Sequence, residues 1–423
     1  MKVEDSVMTP AIQNNQTTQS FWARYGFIWF ILPFLALPLV TRGVSILSSI
    51  SLVIAIILLV RHHQLVTTEV IKNRYLYLFL ALFIPVLISL IDALTPALTT
   101  QTLWRMIRFA GYAVIALFVF QNHSARERFT AILFWILILY SLDAVIQWLF
   151  DYNIYGHNPV SNAWHNRVRG VFGERYDLGF FLATLSPLIF FYLFDKVKSG
   201  NRIYWVLTPL LLALLVVAIL ISGARTALIS LAVSLLLSVS YIIYQKKITN
   251  YKLFGISFIL FLIVMILVGS QLDVVTARYV YTIKANSIDQ MTSNRINLWN
   301  VAWSEIPNYW INGVGARGFD ALYQTYPESY KIFEYMNHPH LQGLEVLIET
   351  GIIGFIPYLG VCFYLLISFF RSKKTNPWLL IALLTMMPIN SYAGFYEGNW
   401  IPMVFISLAL ATAFSKPEKE TEV

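Results

Sequence analysis

Apolar runs of about twenty residues recur along almost the whole of this chain, and no other feature restricts its fold so severely. A hydrocarbon layer roughly 30 Å thick is crossed by about 20 apolar residues in a helix, and backbone polar groups inside that layer have to be bonded without help from water. On this criterion twelve spans are predicted, near 21–40, 44–60, 75–94, 104–120, 130–150, 177–194, 203–222, 225–244, 253–269, 344–370, 378–394 and 399–414. Composition agrees, since 58% of the 423 residues are hydrophobic and 12% are charged, where a soluble domain has about a quarter charged. The mean hydropathy is +0.65. The predicted class is an all-α polytopic helical membrane protein with about twelve transmembrane helices.

In such a chain a net charge of +8 marks loop orientation and is not a nucleic-acid signal. The loops after even-numbered spans hold Arg61, Lys72, Arg74, Arg126, Arg128, Lys196, Lys198, Arg202, Lys246, Lys247, Lys252, Arg371, Lys373 and Lys374, opposed only by Glu69, Glu127 and Asp195. By the positive-inside rule these loops and both termini face the cytoplasm, and the odd loops face outward. The plan is a cytoplasmic tail at 1–20, helices one to nine over 21–269, a long periplasmic loop with short helices at 270–343, helices ten to twelve over 344–414, and a tail at 415–423. The first apolar run has no convincing cleavage site and is expected to be retained. Cys362 stands alone in an apolar run, so it forms no intrachain disulfide and says nothing about compartment.

The long loop breaks the apolar pattern, and the ionisable residues gather there and in the other outward loops. Arg225 follows the turn Ser222-Gly223-Ala224 between two spans. A charge so close to the membrane is costly unless it snorkels or pairs, and a guanidinium fork suits bidentate phosphate binding. Arg295 opens a predicted helix, capped by Ser293 and stopped by Pro307, whose stripe Ile296, Trp299, Ala302, Trp303 and Ile306 implies that the loop lies on the membrane mouth. A cation in a first turn opposes the helix macrodipole, and a bound anion reverses that penalty. Arg105, Arg108, Arg167, Arg169, Arg175, Arg278 and Arg317 add to a cationic outer mouth.

His338 and His340 flank Pro339. Two such imidazoles are too few for a zinc site without further ligands, whereas a histidine near its ordinary pKa of about 6.5 is a ready proton acceptor. His340 is the candidate general base, and Glu345, Glu349 and Glu397 are alternative partners to orient it. The run NGVGARGF, 312–319, lacks the lysine and spacing of a phosphate loop and reads as a turn. Gly351, Gly354 and Gly360 read as positions of close helix packing.

The stretches RVRGVFGERYDLGFFLA, SGARTALISL, SNRINLWNVAWSEI, NGVGARGF and HPHLQGLEVLIETGIIG, spread over roughly residues 165–410, together resemble the O-antigen ligase and polymerase family of bacterial membrane glycosyltransferases. The resemblance implies a functional set of Arg225, Arg295 and His340; the outward-facing Arg105, Arg108, Arg169, Arg317, His338, Glu349 and Glu397 are read from the residues as substrate-binding candidates. It implies metal-independent, inverting transfer of O-antigen from undecaprenyl pyrophosphate to a lipid A-core sugar hydroxyl at the periplasmic face of the inner membrane, with no cofactor and membrane lipids as the surroundings. An O-antigen or other polysaccharide polymerase and a protein O-oligosaccharyltransferase share that chemistry. The family often has Asn after the histidine where this chain has Leu341, and Glu397 is the nearest counterpart of an acidic residue some ligases carry in the last outward loop. A twelve-span transporter is the rival from another class, with Asp92 and Asp143 as its intramembrane charges.

Overall fold

The computed structural model describes residues 10–39, 41–61, 74–158, 167–173, 175–245, 292, 295–327, 336–398 and 400–416. They form α1 (Pro10–Leu39), α2 (Thr41–Arg61), α3 (Arg74–Ile88), α4 (Pro96–Val119), α5 (His123–Phe150), α6 (Leu178–Lys198), α7 (Ile203–Ile221), α8 (Arg225–Tyr244), α9 (Ile296–Tyr309), α10 (Phe319–Gln324), α11 (Gln342–Arg371), α12 (Pro377–Thr385) and α13 (Ile401–Phe414). Among the described residues there is no strand. Seven helices are long and apolar enough to cross a membrane, namely α2, α4, α5, α6, α7, α8 and α11, and the apolar parts of α1, α3 and α13 are shorter. The protein is a multi-pass helical membrane protein. The expected count of twelve is not reached among these residues, and the span predicted at 253–269 lies outside them.

Three predicted spans change shape, each for a physical reason. The span expected at 75–94 ends as a helix at Ile88, where Leu90 and Ile91 N–H turn back on Leu87 and Ile88 carbonyls. The run TPALTTQT, expected as a loop, is the start of α4, since Pro96 sits in the first turn where its missing N–H costs nothing. The span expected at 378–394 is helical only over Pro377–Thr385, because Pro388 cannot continue it, and the chain then runs irregularly to Trp400.

Connections between loops sort the helix ends into two faces. On one face Arg175 reaches the Leu37 and Pro38 carbonyls, Val168 N–H donates to Ile221 O, Leu94 N–H to Val314 O, and Gln342 N–H to Asn390 O. All of these belong to odd loops. On the other face Tyr241 and Gln245 donate to the Ser372 carbonyl, and Arg126 caps the C-terminus of α13 through the carbonyls of Ala413, Phe414 and Lys416. That is the charge complement expected at a helix C-terminus. Between the faces lies an aromatic-rich core in which Trp378, fully buried, stacks on Phe129 at 5.6 Å.

α11 is two half-helices. Gly351 has φ 60° and ψ −165°, which breaks the helical hydrogen bonds after Thr350. Inside a membrane protein the freed groups need partners, and the 310–315 segment supplies them. Ile352 and Ile353 N–H donate to Trp310 and Ile311 O, while Val314 and Gly315 N–H donate to Ile348 and Glu349 O. The two backbones lie so close that a Cβ on Gly351 would sit 2.2 Å from Ile311 O, and one on Gly313 2.3 Å from the Glu349 carbonyl carbon. Close packing therefore explains Gly351 and Gly354, where a Cβ would lie 3.2 Å from Pro85 Cβ on α3, but not Gly360, which has open space. At its other end the first half-helix has its N–H groups met by Pro388 and Asn390 carbonyls.

The loop builds a core of its own on this half-helix, from Leu298, Val301, Ala302, Val314, Phe319, Leu322, Tyr323, Leu344 and Ile348. The buried stripe of α9 is thus Leu298, Val301 and Ala302, and Trp303 of the predicted stripe is exposed. α9 also runs through Pro307 to Tyr309 instead of stopping there; a proline near a helix end forfeits one bond, to the carbonyl of exposed Trp303. Ser293, the predicted cap, lies outside the described residues.

Candidate active site

The polar residues of the odd-loop face converge where α9, the turn before α11 and the irregular 386–400 stretch meet. Arg295 precedes the first turn of α9 and its Nη1 donates to both the carbonyl (3.0 Å) and Oγ (2.8 Å) of Ser391. His340 also hydrogen-bonds the Ser391 backbone. One serine therefore gathers the predicted cation and the predicted base.

The turn that presents His340 is held in several ways. His340 has φ 53°, a left-handed conformation of the kind that clusters at functional sites. Trp299 Nε1 donates to Pro339 O at 3.0 Å, so α9 pins the middle of the His-Pro-His turn. The two imidazoles meet edge to face with centroids 4.2 Å apart. Among the described residues, His340 Nδ1 is buried without a hydrogen-bond partner. The Ser391 bond must then use Nε2, and the Nδ1 lone pair is left as an acceptor. Burial, with His338 and Arg295 nearby, pushes the His340 pKa down to about 2, so the ring is neutral.

The carboxylates divide differently from expectation. Glu397 pairs with His338, Oε1 to Nδ1 at 3.0 Å. Although burial opposes its charge, the bond to His338, the charge there, the Gly394 backbone and Arg317 hold Glu397 below the usual carboxylate range. Glu345 accepts from the N–H groups of Phe395 (2.8 Å) and Tyr396 (3.2 Å), tying the last outward loop to α11. Glu349 accepts from Arg317 N–H (2.6 Å) and Phe319 N–H (3.3 Å). NGVGARGF is the turn expected of it, and the anion in its cradle is this chain's own glutamate. Of the three proposed imidazole partners only Glu397 touches a histidine, and that is His338.

Arg225 is the first residue of α8, packed through Ser222 and Ala224 against Gly179 at the start of α6. The same α6 end also meets the Ser391 segment: Tyr392 donates its hydroxyl to Asp177 and stacks on Phe180 at 4.9 Å. Asp177 also pairs with Arg175 at 3.3 Å, and burial raises its pKa despite that arginine. The turn that precedes Arg225 and the segment that holds Arg295 through Ser391 thus both contact the N-terminal end of α6. Arg167 and Arg169 bracket the Tyr176 ring at 4.2 and 5.2 Å, with Arg167 donating to Ser222 O. Arg105 and Arg317 lie on the other side of the Glu397 loop and share the Gln101 side chain. Arg278 lies outside the described residues. Asp92 binds Asn312 and Asp143 binds Ile154 N–H, so both secure loops. Ser391, Tyr392 and Gln101 carried no sequence signal, being ordinary polar residues whose partners are distant in the chain.

Residues 210–359 match the family model described as O-antigen ligase. Over that segment the chain is similar to the O-antigen ligase family. No curated protein sequence matches it. The matched segment contains Arg225, Arg295, Arg317, His338, His340 and Glu349, and excludes Arg105, Arg108, Arg169 and Glu397. The match supports a membrane glycan-processing function of the O-antigen ligase or polymerase type.

Proposed function

We propose that this protein is an inverting, metal-independent glycosyltransferase that moves O-antigen polysaccharide from undecaprenyl pyrophosphate to a lipid A-core sugar hydroxyl, at the periplasmic face of the inner membrane. The observation that carries the reading is the meeting of Arg295 and His340 at Ser391, with an unpartnered imidazole nitrogen beside a guanidinium. In the reaction the acceptor oxygen forms a bond to the anomeric carbon as the bond from that carbon to the pyrophosphate oxygen breaks, and the hydroxyl proton passes to His340 Nδ1. Attack opposite the leaving group inverts the centre.

Arg295 and Arg225 oppose the charge that builds on the departing pyrophosphate, which lowers the barrier because the attraction is greatest in the transition state. The same anion matters to the base. A nearby guanidinium is one reason that His340 resists protonation, and a pyrophosphate seated on that guanidinium offsets its field and raises the ring's proton affinity. Donor binding and base activation are thereby coupled. Glu397 and His338 serve as positioning residues behind the ring.

The test is transfer in vitro from purified lipid-linked donor to lipid A-core, with and without chelator. Arg225→Ala, Arg295→Ala and His340→Ala are each expected to lower the rate at least a hundredfold, the lower range for loss of a general base or of charge stabilisation, with normal membrane insertion. Wild-type rates in all three overturn the mechanism. A deletion strain whose lipid A-core carries one repeat unit identifies a polymerase, and transfer to a polypeptide identifies a protein glycosyltransferase.

A further inference from the structure

Among the described residues three non-glycines adopt left-handed backbone: Asp151, His340 and Arg317. Aspartate and histidine are several-fold enriched there, whereas arginine is not. In the same turn the other two left-handed positions, Gly313 and Gly315, are glycine. A long cationic side chain thus occupies, at φ 64°, a site where glycine fits without strain. An outlier of this kind points to work for the side chain.

That side chain reaches a site whose nearby carboxylates are hydrogen-bonded to other groups, Glu349 to the Arg317 and Phe319 backbone N–H groups and Glu397 to His338. Arg317 Nη1 donates to Gln101 Oε1 at 2.8 Å, and Arg105 Nη2 donates to the same oxygen at 3.2 Å. Arg108, three residues further along α4, donates to Ser45 O (3.3 Å) and Ser49 Oγ (3.2 Å) on α2. All three guanidiniums therefore hold neutral oxygens, and none is in an ion pair among the described residues. Glu397, whose charge feels Arg317, is bonded to His338. Two cations sharing one amide oxygen repel each other, and a tetrahedral oxyanion between them answers both with forked hydrogen bonds.

The position selects the class of anion. Ser45 is in the first turns of α2, so the ladder Gln101, Arg105, Arg108 runs along the odd-loop ends of two span-length helices, α2 and α4. Beside it Ile46, Ile50 and Val53 of α2 and Trp104 of α4 are exposed, a surface suited to hydrocarbon with an interfacial tryptophan. We infer that Arg105 and Arg317, with Gln101 between them and Arg108 below, bind the phosphate of a membrane amphiphile whose chains lie on the exposed face of α2. This inference does not depend on the transfer chemistry at His340.

Full-length protein in nanodiscs and detergent, studied by native mass spectrometry with phosphatidylglycerol, with diacylglycerol of the same chains, and with inorganic phosphate, tests it. Arg317→Gly is the informative variant because glycine suits the left-handed backbone and preserves the turn. Arg105→Gln is the second. Phosphatidylglycerol is expected to be retained by the wild type in preference to diacylglycerol, and about tenfold more weakly by each variant, as for loss of one charge-assisted contact. Displacement of the lipid by inorganic phosphate supports recognition of the phosphate itself. Equal retention by wild type and both variants, equal retention of diacylglycerol, or binding of inorganic phosphate without the lipid overturns the proposal.

Discussion

The turn 312–319 and the corner formed by His338, His340, Arg295 and Ser391 sit at opposite ends of the half-helix 342–350, and both are made from groups that hold anions. In the turn the converging N–H groups meet the Glu349 carboxylate and the opened helix carbonyls, all from this chain. At the corner His338 Nε2 and His340 Nδ1 are buried with no hydrogen-bond partner among the described residues. Nearly all buried polar groups in native proteins are bonded, so those that are not call for an explanation. The difference separates architecture from chemistry: one end spends its polarity on closing the fold, and the other keeps some for a ligand.

The strongest way to break this contrast is to mutate each end and compare folding with turnover. Gly351→Ala places a Cβ 2.2 Å from the Ile311 carbonyl oxygen in a left-handed residue, and neither backbone can yield without losing the paired bonds across the break. Gly351→Ala is expected to leave little monodisperse protein on gel filtration, whereas His340→Ala elutes as wild type but transfers no glycan. Normal yield from Gly351→Ala defeats the assignment of that end to architecture.

Glu349 gives a graded version. Glu349→Ala strands two buried N–H donors, Arg317 and Phe319, at roughly 1–3 kcal/mol each. A fall in thermal midpoint is expected, smaller in Glu349→Gln, which keeps one acceptor oxygen. Equal midpoints for both variants and wild type remove Glu349 from the fold's support.

Acid sharpens the comparison from the other end. His340 is neutral when folded, its pKa about 2, but takes up a proton near pH 6.5 when unfolded. The unfolded state binds more protons between those values, so stability is fully present above about pH 6.5 and falls as pH drops. From pH 7 to pH 5 the loss attributable to this ring is about 2 kcal/mol. Thermal midpoints of wild type should therefore fall more than those of His340→Gln over that interval. Glu397 is depressed in the opposite chemical sense, as a carboxylate, and its contribution fades only below its unfolded value near 4.3, outside the window. Parallel midpoints for the two proteins contradict a buried neutral imidazole.

Hydropathy made most of the bundle readable, because a charge such as Arg225 or a polar interval such as 270–343 stands out against apolar spans. It misjudged α4 and α12 for one reason. TPALTTQT and MMPINSYAG differ in greasiness in the wrong direction: the first is polar yet helical, the second partly apolar yet irregular, and only the bonds made by Pro388, Asn390 and their neighbours decide. Arg295 and His340 were legible as a cation and a base, while the serine that joins them was not, since Ser391 acquires meaning only when chain 96 residues away folds against it. Glu349 was legible as a carboxylate near the site, but its commitment to backbone N–H groups is a product of the break at Gly351.

The smallest expected effect probes how tightly the corner is held. Trp299 Nε1 donates to Pro339 O, on the peptide just before His340, so Trp299→Phe keeps an aromatic ring and removes one hydrogen bond worth about 1 kcal/mol. If that energy holds the imidazole in register with the acceptor hydroxyl, turnover falls about fivefold with KM for the donor unchanged, because the donor's phosphates are held elsewhere. A purely structural bond lowers the thermal midpoint and leaves turnover alone. A loss of turnover at unchanged midpoint extends the functional corner into α9 and makes Trp299 a positioning residue, while the reverse pattern returns it to the loop's own core.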